Sequence, residues 1–199
     1  LEQEIGSLNK AQVELLETAR DDVNRQLAMI EHLLDLSLIE EHTDELELSK
    51  FTICSLVDES IKAHMELCHS YQVTLHYQPP DVMIELEADE KKLRIALNNF
   101  VVNAIKYSGR GQDVQILVSE KGEYCRVEVV DEGPGMEESA AHTIFDAYTR
   151  ADSSGEVKGT GIGLKITKDI IESHGGQIGC LSQLDKGTTF YFEVPLKQV

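Results

Sequence analysis

The chain has 199 residues, 41% of them hydrophobic, which suits one globular core with an appendage and excludes a large multidomain protein. Its 36 acidic and 18 basic side chains give a net charge of -18, and this charge repels nucleic acid and anionic membrane surfaces. We therefore expect no nucleic-acid partner and no membrane contact by this chain.

The four cysteines are widely spaced and form no C-x-x-C pair, which indicates a reducing compartment. No apolar run approaches the roughly 20 residues that span a bilayer, and the charged N-terminus has no signal-peptide pattern. We expect a cytoplasmic location, either for a whole protein or for the cytoplasmic portion of a membrane-bound one.

A long helix is predicted from about residue 8 to residue 40, because this segment contains neither proline nor glycine. Apolar residues recur along it at heptad spacing in two interleaved series, Leu16, Val23 and Ile30 with Val13, Leu27 and Leu34. Such an apolar seam needs a partner helix, either from a second chain or from a helix missing from this sequence, and we expect a homodimer through it. The polar residues that follow divide the chain into segments 1–42 and 43–199.

Strand and helix patterns alternate through the second segment. In chain order we predict a strand at 46–51, a helix at 55–70, strands at 73–77 and 82–87, a helix at 89–107, strands at 114–119 and 124–130, a helix at 162–173, and a hairpin of 177–182 with 188–194. Ser55 with Asp58 resembles a capping box at the start of the first helix, and Asp89 is the predicted N-cap of the second. The sum is an α+β sandwich with helices on one face of a mixed sheet.

The helix at 89–107 carries polar residues between two apolar stripes. Asn99, Asn103 and Lys106 follow one another at spacings of four and three, so they share one face. Amide oxygens can ligate Mg²⁺, and a lysine one turn further on can contact a phosphate. The alternative is that the asparagines satisfy backbone groups and that Lys106 is solvated.

A turn with the pattern D-x-G-x-G follows the strand at 124–130, with Asp131, Gly133 and Gly135 in the fixed positions. A carboxylate at a strand end can accept a hydrogen bond from an exocyclic amine such as that of adenine. The glycines would let the backbone pass close to a flat ring. The same residues also occur in tight turns that bind nothing.

A glycine-rich segment leads into the helix at 162–173: Gly159, Thr160, Gly161, Ile162, Gly163 and Leu164. Bare backbone N–H groups at a helix start form an anion site suited to phosphates. The pattern is neither a Walker A loop nor a dinucleotide-binding fingerprint. Residues 145–158 before it have the composition of a mobile lid, with Arg150 and Lys158 as cations. We expect these cations, with Lys106 and Lys165, to gather around bound phosphates.

These four patterns, in this order, resemble the N, G1, F and G2 boxes of the Bergerat ATP-binding fold, which histidine kinases, Hsp90, type II topoisomerases and MutL share. The histidine kinases match best, because 99–108 is similar to their N-box, 144–150 to their F-box and 187–190 to their last box. The similarity covers about 18–196, and 30–37 resembles the end of the second dimerisation helix. It implies a Bergerat-fold α/β sandwich at 43–199. The long helix at 1–42 that precedes it would be part of a dimerisation region whose phosphoacceptor helix is missing.

The resemblance implies ATP and Mg²⁺ as ligands. Carried over by position, it implies that Asn103 ligates Mg²⁺ and that Asn99 supports it. It implies phosphate contacts from Lys106, Arg150 and the segment from Gly159 to Leu164. It further implies that Tyr107 lines the pocket, that Asp131 binds the adenine amine, that Gly133 and Gly135 meet the ring edge, and that Thr188 holds a water beside adenine.

None of the seven histidines begins the H-E-x-x-[TR]-P pattern of a phosphoacceptor helix. We therefore expect ATP binding without self-phosphorylation within this chain. The γ-phosphoryl would pass to a histidine on another segment and then to an aspartate in the receiver domain of a response regulator. Two alternatives are a degenerate regulatory module without turnover and an ATPase that uses hydrolysis to drive a conformational change.

Overall fold

The computed structural model describes residues 9–13, 15–16, 18–19, 22–23, 46–146, 149 and 162–198. The chain divides into two compact units, residues 1–41 and 42–199. In the first unit every described residue after Asn9 is helical, as predicted. The Asn9 side chain accepts from the Gln12 N–H and the Gln12 side chain accepts from the Asn9 N–H, both at 2.9 Å, which is a reciprocal capping box. The seam positions Leu27, Ile30 and Leu34 lie outside the described residues.

The described part of the second unit contains seven strands and four helices. They are β1 (Ser49–Thr52), α1 (Ile53–Tyr71), β2 (Thr74–Tyr77), β3 (Glu85–Ala88), α2 (Glu90–Ser108), β4 (Asp113–Lys121), β5 (Tyr124–Asp131), α3 (Glu138–Thr143), α4 (Gly163–Ser173), β6 (Gln177–Gln183) and β7 (Gly187–Pro195). Helix α3 lies in a region for which the sequence patterns predict neither a helix nor a strand.

The main sheet has the strand order β2-β4-β5-β7-β6. Strand β2 runs parallel to β4, and the other neighbours are antiparallel, so the predicted α+β class with a mixed sheet is confirmed. Strands β1 and β3 form a separate antiparallel pair, which the sequence patterns did not distinguish from the main sheet. A bridge from Glu87 to Lys197 joins this pair to the segment after β7.

The core lies between one face of the main sheet and the helices. Alternate residues of β5 are buried, whereas the residues between them are partly exposed. Phe100 of α2 is fully buried and stacks on Phe190 of β7, with ring centroids 5.3 Å apart. Asp131 is the last member of the buried series on β5, so the alternation that builds the core also places a carboxylate inside it.

Two predicted boundaries were wrong. The cap of α1 is Thr52 rather than Ser55, because β1 runs directly into the helix and the Thr52 side chain accepts from the Ser55 N–H at 3.2 Å. Strand β3 begins at Glu85 rather than at residue 82, because Val82 and Met83 project into solvent and are 71% and 70% exposed. Asp89 is the cap of α2, as predicted.

Over the described ranges, no helix combines the length and the apolar character that crossing a membrane requires.

Candidate functional site

Asp131 is the buried acid at the centre of the site. The residue is only 4% exposed. Its Oδ1 accepts hydrogen bonds from the Gly133 N–H at 2.9 Å and from the Thr188 N–H at 3.2 Å. Burial raises the pKa of Asp131 to about 6, although these two hydrogen bonds act in the opposite direction. The two backbone donors fix the carboxyl group in one orientation.

The glycines of the D-x-G-x-G turn are packed against other backbone segments. A Cβ atom on Gly133 would lie 2.4 Å from the carbonyl oxygen of Tyr107, at the end of α2. Gly135 has φ +65°, and a Cβ there would lie 2.0 Å from the carbonyl oxygen of Gln183. These contacts fix the turn between the end of α2 and the β6–β7 hairpin, and they bring Tyr107 close to Asp131.

Ser182 of β6 is a residue of this site that sequence reasoning missed. Its hydroxyl accepts from the Met136 N–H at 2.9 Å, lies 3.1 Å from the Gly187 carbonyl oxygen, and lies 2.9 Å from the Thr188 hydroxyl. The signal that could have found it is the predicted hairpin of 177–182 with 188–194, whose inner ends are Ser182 and Thr188, the pair that lies opposite each other in the structure.

Asn99 connects α2 to the start of α4. Its Nδ2 donates to the Gly163 carbonyl oxygen and to the Thr167 hydroxyl, both at 3.3 Å. The Thr167 side chain is buried and also donates to the Gly163 carbonyl oxygen, at 3.0 Å. Asn99 therefore satisfies a backbone group, as in the alternative interpretation of the asparagines, and this contact orients the first turn of α4. Asn103 lies one turn further along the same face of α2 and is half-buried.

Helix α4 begins at Gly163 and has no side-chain hydrogen bond at its N-terminal cap, Ile162. The backbone N–H groups before the first intrahelical bond, which the Ile166 N–H makes to the Ile162 carbonyl oxygen at 3.0 Å, are the donors expected of an anion site. Lys165 forms an ion pair with Asp169 one turn further along the helix.

The predicted site residues fall into two groups and a remainder. Tyr107, Asp131, Gly133, Gly135 and Thr188 lie together at the ends of α2, β5 and β7. Asn99 lies on α2 against Gly163, which has Ile162 and Leu164 beside it in sequence, and the half-buried Asn103 and Lys106 follow further along α2. Arg150, Gly159, Thr160 and Gly161, together with Lys158, lie outside the described residues.

Residues 88–198 match the model of a protein family described as histidine kinase-, DNA gyrase B-, and HSP90-like ATPases. The chain belongs to this family. It therefore carries the ATP-binding domain of the family, and the resemblance inferred from the boxes is confirmed.

Two curated members of the family are similar along nearly the whole chain. The circadian input-output histidine kinase CikA of Synechococcus elongatus is 30% identical over 194 residues, which make up 96% of this chain and 26% of CikA. The sensor histidine kinase WalK of Bacillus subtilis is 30% identical over 187 residues, or 92% of this chain and 30% of WalK. The chain thus spans less than a third of the length of these relatives.

Solved structures of the family share the fold. A nucleotide-free catalytic domain of histidine kinase ThkA superposes with a TM-score of 0.69 at 27% identity, covering 76% of this chain and 97% of that domain. Full-length ShkA in complex with AMPPNP gives 0.74 at 25% identity, covering 98% of this chain and 41% of ShkA. ThkA in complex with the response regulator TrrA superposes with a TM-score of 0.70 at 23% identity, covering 98% of this chain and 54% of the ThkA chain.

Proposed function

We propose that this chain is the ATP-binding catalytic module of a sensor histidine kinase. It binds ATP with Mg²⁺ and passes the γ-phosphoryl group to a histidine in a phosphoacceptor pattern that these 199 residues do not contain, for relay to an aspartate of a response regulator. The observation that carries the proposal is the buried carboxyl of Asp131, held through Oδ1 by the Gly133 and Thr188 backbone.

The adenine end of the proposed site is built around that carboxyl group. Because both backbone hydrogen bonds use Oδ1, the other oxygen is oriented to accept from the exocyclic amine of adenine. Gly133 and Gly135 present backbone to the edge of the ring, Tyr107 lines the pocket, and Thr188 holds a water beside the base. In a buried site an unmatched base would leave the carboxylate without a partner, which favours adenine.

The phosphate end lies along α2 toward the start of α4. Asn99 and Tyr107 are about 12 Å apart along the helix axis at 1.5 Å per residue, which leaves room for an extended ligand. The bare N–H groups at Ile162, Gly163 and Leu164 bind phosphate oxygens. Lys106, which lies about two turns along α2 from Asn99, supplies a cation to the phosphates. Arg150, Gly159, Thr160 and Gly161 are proposed to complete the phosphate contacts.

The residues present fit a magnesium ion. Mg²⁺ takes one or two protein oxygens and fills its remaining positions with water and substrate phosphates, so the Asn103 amide oxygen is a sufficient protein ligand. The Asn99 side chain supports this arrangement because it orients the first turn of α4. When bound, the ion neutralises charge on the transferring phosphoryl group, and the side chains of this protein position the nucleotide.

The proposed partners are a second copy of the chain and the receiver domain of a response regulator. The described seam residues Val13, Leu16 and Val23 are 39%, 55% and 54% exposed in the single chain, which supports a dimer through this helix. The ThkA complex with TrrA supports a response regulator as the acceptor of the phosphoryl group. A cytoplasmic location follows from this proposed role.

The test is calorimetric titration of the purified chain with AMPPNP, with and without Mg²⁺. We expect binding that Mg²⁺ strengthens, that Asp131→Ala abolishes, and that loses its dependence on Mg²⁺ in Asn103→Ala. Asn98→Ala is the matched control, since Asn98 is on the same helix and instead accepts from the Ser60 hydroxyl of α1 at 2.7 Å. Absence of binding at millimolar nucleotide, or wild-type affinity in Asp131→Ala, would overturn the proposal.

Turnover is tested separately by incubating the chain with γ-labelled ATP and a dimerisation segment that contains the H-E-x-x-[TR]-P pattern. We expect label on the histidine of that segment and none on this chain. Nucleotide binding without any transfer would favour the regulatory module, and release of free phosphate alone would favour the ATPase.

A further inference from the structure

The hydrogen bonds around Ser182 and Thr188 bear on how the site selects a base. The Ser182 hydroxyl accepts from the Met136 N–H and contacts two further oxygens, those of Gly187 and Thr188. The Gly187 carbonyl can only accept, whereas the Thr188 hydroxyl can donate or accept. Ser182 has a single hydroxyl hydrogen, so only two arrangements satisfy the pair.

In one arrangement Ser182 donates to Gly187 and accepts from Thr188, so that Thr188 presents lone pairs to a ligand. In the other Ser182 donates to Thr188, and the Thr188 hydrogen is available to a ligand. Both keep the bond from the Met136 N–H, and both need only rotation of two hydroxyl groups. Thr188 can therefore meet either an acceptor or a donor, directly or through one water, which transmits either polarity.

Asp131 has no such freedom. Its Oδ1 is committed to the Gly133 and Thr188 N–H groups, so an ionised carboxylate presents only an acceptor to the base. The Watson–Crick edge of adenine offers an amine donor beside the N1 acceptor, whereas a 6-oxopurine offers the O6 acceptor beside an N1–H donor. The amine of adenine can donate to Asp131 while its N1 accepts from the Thr188 hydroxyl. A 6-oxopurine can donate its N1–H to Thr188, but its O6 acceptor faces the acceptor oxygen of Asp131, so the conflict is at Asp131 alone.

We propose that Ser182 is a positioning residue that lets the Thr188 hydroxyl act either as hydrogen-bond donor or as acceptor. Purine selection then rests on Asp131 alone. This inference rests on the proposed function, because it assumes that Asp131 and Thr188 face the Watson–Crick edge of a purine. It predicts that the preference for a base can be inverted at one position while the Ser182–Thr188 pair adapts.

The inverting substitution is Asp131→Asn. The two backbone N–H groups hold the amide oxygen at the Oδ1 position, so the amide nitrogen faces the base as a donor. The O6 of hypoxanthine then accepts from that nitrogen. Its N1–H donates to Thr188, Thr188 donates to Ser182, and Ser182 donates to Gly187. All polar groups are satisfied in this arrangement.

Removal of Ser182 would break this adaptation for one polarity. When Thr188 accepts from a 6-oxopurine, its own hydrogen needs Ser182 as acceptor, and a buried hydroxyl hydrogen without a partner is unfavourable. When Thr188 donates to adenine, removal of Ser182 only takes away the hydrogen bond that the Thr188 oxygen accepts, and the Thr188 hydrogen keeps its partner. Ser182→Ala should therefore weaken binding of 6-oxopurines more than binding of adenine.

The experiment measures dissociation constants for ATP and inosine triphosphate, whose base is hypoxanthine, with thermal melting to confirm folding. We expect wild type to prefer ATP and Asp131→Asn to prefer inosine triphosphate. In the Asp131→Asn background, Ser182→Ala should weaken the binding of inosine triphosphate by at least about fivefold relative to the binding of ATP. Ser182→Thr should restore the binding of inosine triphosphate. Ser119→Ala, on β4 opposite Arg126, is the control and should leave the ratio unchanged.

The outcomes separate the two proposals. If Asp131→Ala binds ATP as wild type does, the adenine site itself is wrong. If Asp131→Ala loses ATP while Asp131→Asn still prefers ATP over inosine triphosphate, the proposed function stands and the reversible pair is overturned. A double variant in which both nucleotides weaken equally would leave Ser182 with a purely structural role and would also overturn the inference.

Discussion

Asp89 and His174 are joined by a buried hydrogen bond across 85 positions of sequence, in which the Asp89 N–H donates to the His174 Nε2 at 3.1 Å. The other ring nitrogen donates to the Ile170 carbonyl oxygen at 2.7 Å, so the ring is neutral with its hydrogen on Nδ1. The Asp89 carboxylate accepts from the Lys92 and Glu47 N–H groups, both at 3.1 Å. The start of α2, the end of α4 and the chain before β1 therefore meet at one point.

His174 should make the protein less stable in mild acid. Burial lowers the pKa of His174 below 6.5, so between that lowered value and 6.5 the unfolded state binds more protons than the native state. This contribution to stability is present above pH 6.5 and is lost as the pH falls through the native pKa. Between pH 7.5 and pH 5.5 we expect the free energy of unfolding in urea to fall more in wild type than in His174→Gln. The exposed residue His69, changed to glutamine, is the control, and an equal loss in wild type and His174→Gln would contradict the prediction.

Gly135 and Gly122 form a matched pair for separating backbone strain from steric overlap. Both have φ +65°, but a Cβ on Gly135 would lie 2.0 Å from the Gln183 carbonyl oxygen, whereas nothing lies within 4 Å of one on Gly122. We expect Gly122→Ala to lower the free energy of unfolding by about 1–2 kcal/mol, and Gly135→Ala by more than about 3 kcal/mol. Chemical denaturation measures both, and similar losses would show that the turn relaxes away from β6.

Asp131 should destabilise the nucleotide-free protein at neutral pH. Its pKa is raised from 3.8 to about 6, so its contribution to stability is present below pH 3.8 and is lost as the pH rises through 6. At 1.36 kcal/mol per pH unit, this difference sets an upper bound of about 3 kcal/mol. We expect Asp131→Asn to melt at a higher temperature than wild type at pH 7.5 and to lose that advantage near pH 4. A variant that is less stable at both pH values would contradict this assignment.

The base preference of wild type should depend on the protonation of Asp131. Below a pH of about 6 the carboxyl group carries a proton and can donate it, because Oδ1 remains the acceptor of two backbone N–H groups. We expect the ratio of ATP affinity to inosine triphosphate affinity to fall as the pH is lowered from 7.5 to 5. Protonation of the phosphates affects both nucleotides alike and cancels in the ratio. The ratio in Asp131→Asn should not change with pH, and a parallel change in that variant would assign the effect to another group.

The sequence predicted those features that depend on local patterns. Alternation along β5 predicts a strand there, and Asp89 is predicted as a cap because a capping acid precedes its own helix. Ser182 was missed because its role depends on side-chain contacts with Met136 and Gly187, which a strand pairing alone does not reveal. Thr52 was missed because β1 enters α1 without a loop. The partner of His174 is 85 residues away, and no periodicity within one element could have revealed it.

The hydrogen bond between Asp131 and the Thr188 N–H closes a loop of 57 residues, which has a consequence for the order of folding. The β4–β5 hairpin is local and can form early, but β7 must cross that long loop before it pairs with β5, and such closures are entropically slow. Until then Asp131 remains hydrated. Because the proposed adenine site is incomplete until β7 pairs with β5, we expect ATP to slow unfolding of the folded domain and to leave its refolding rate unchanged.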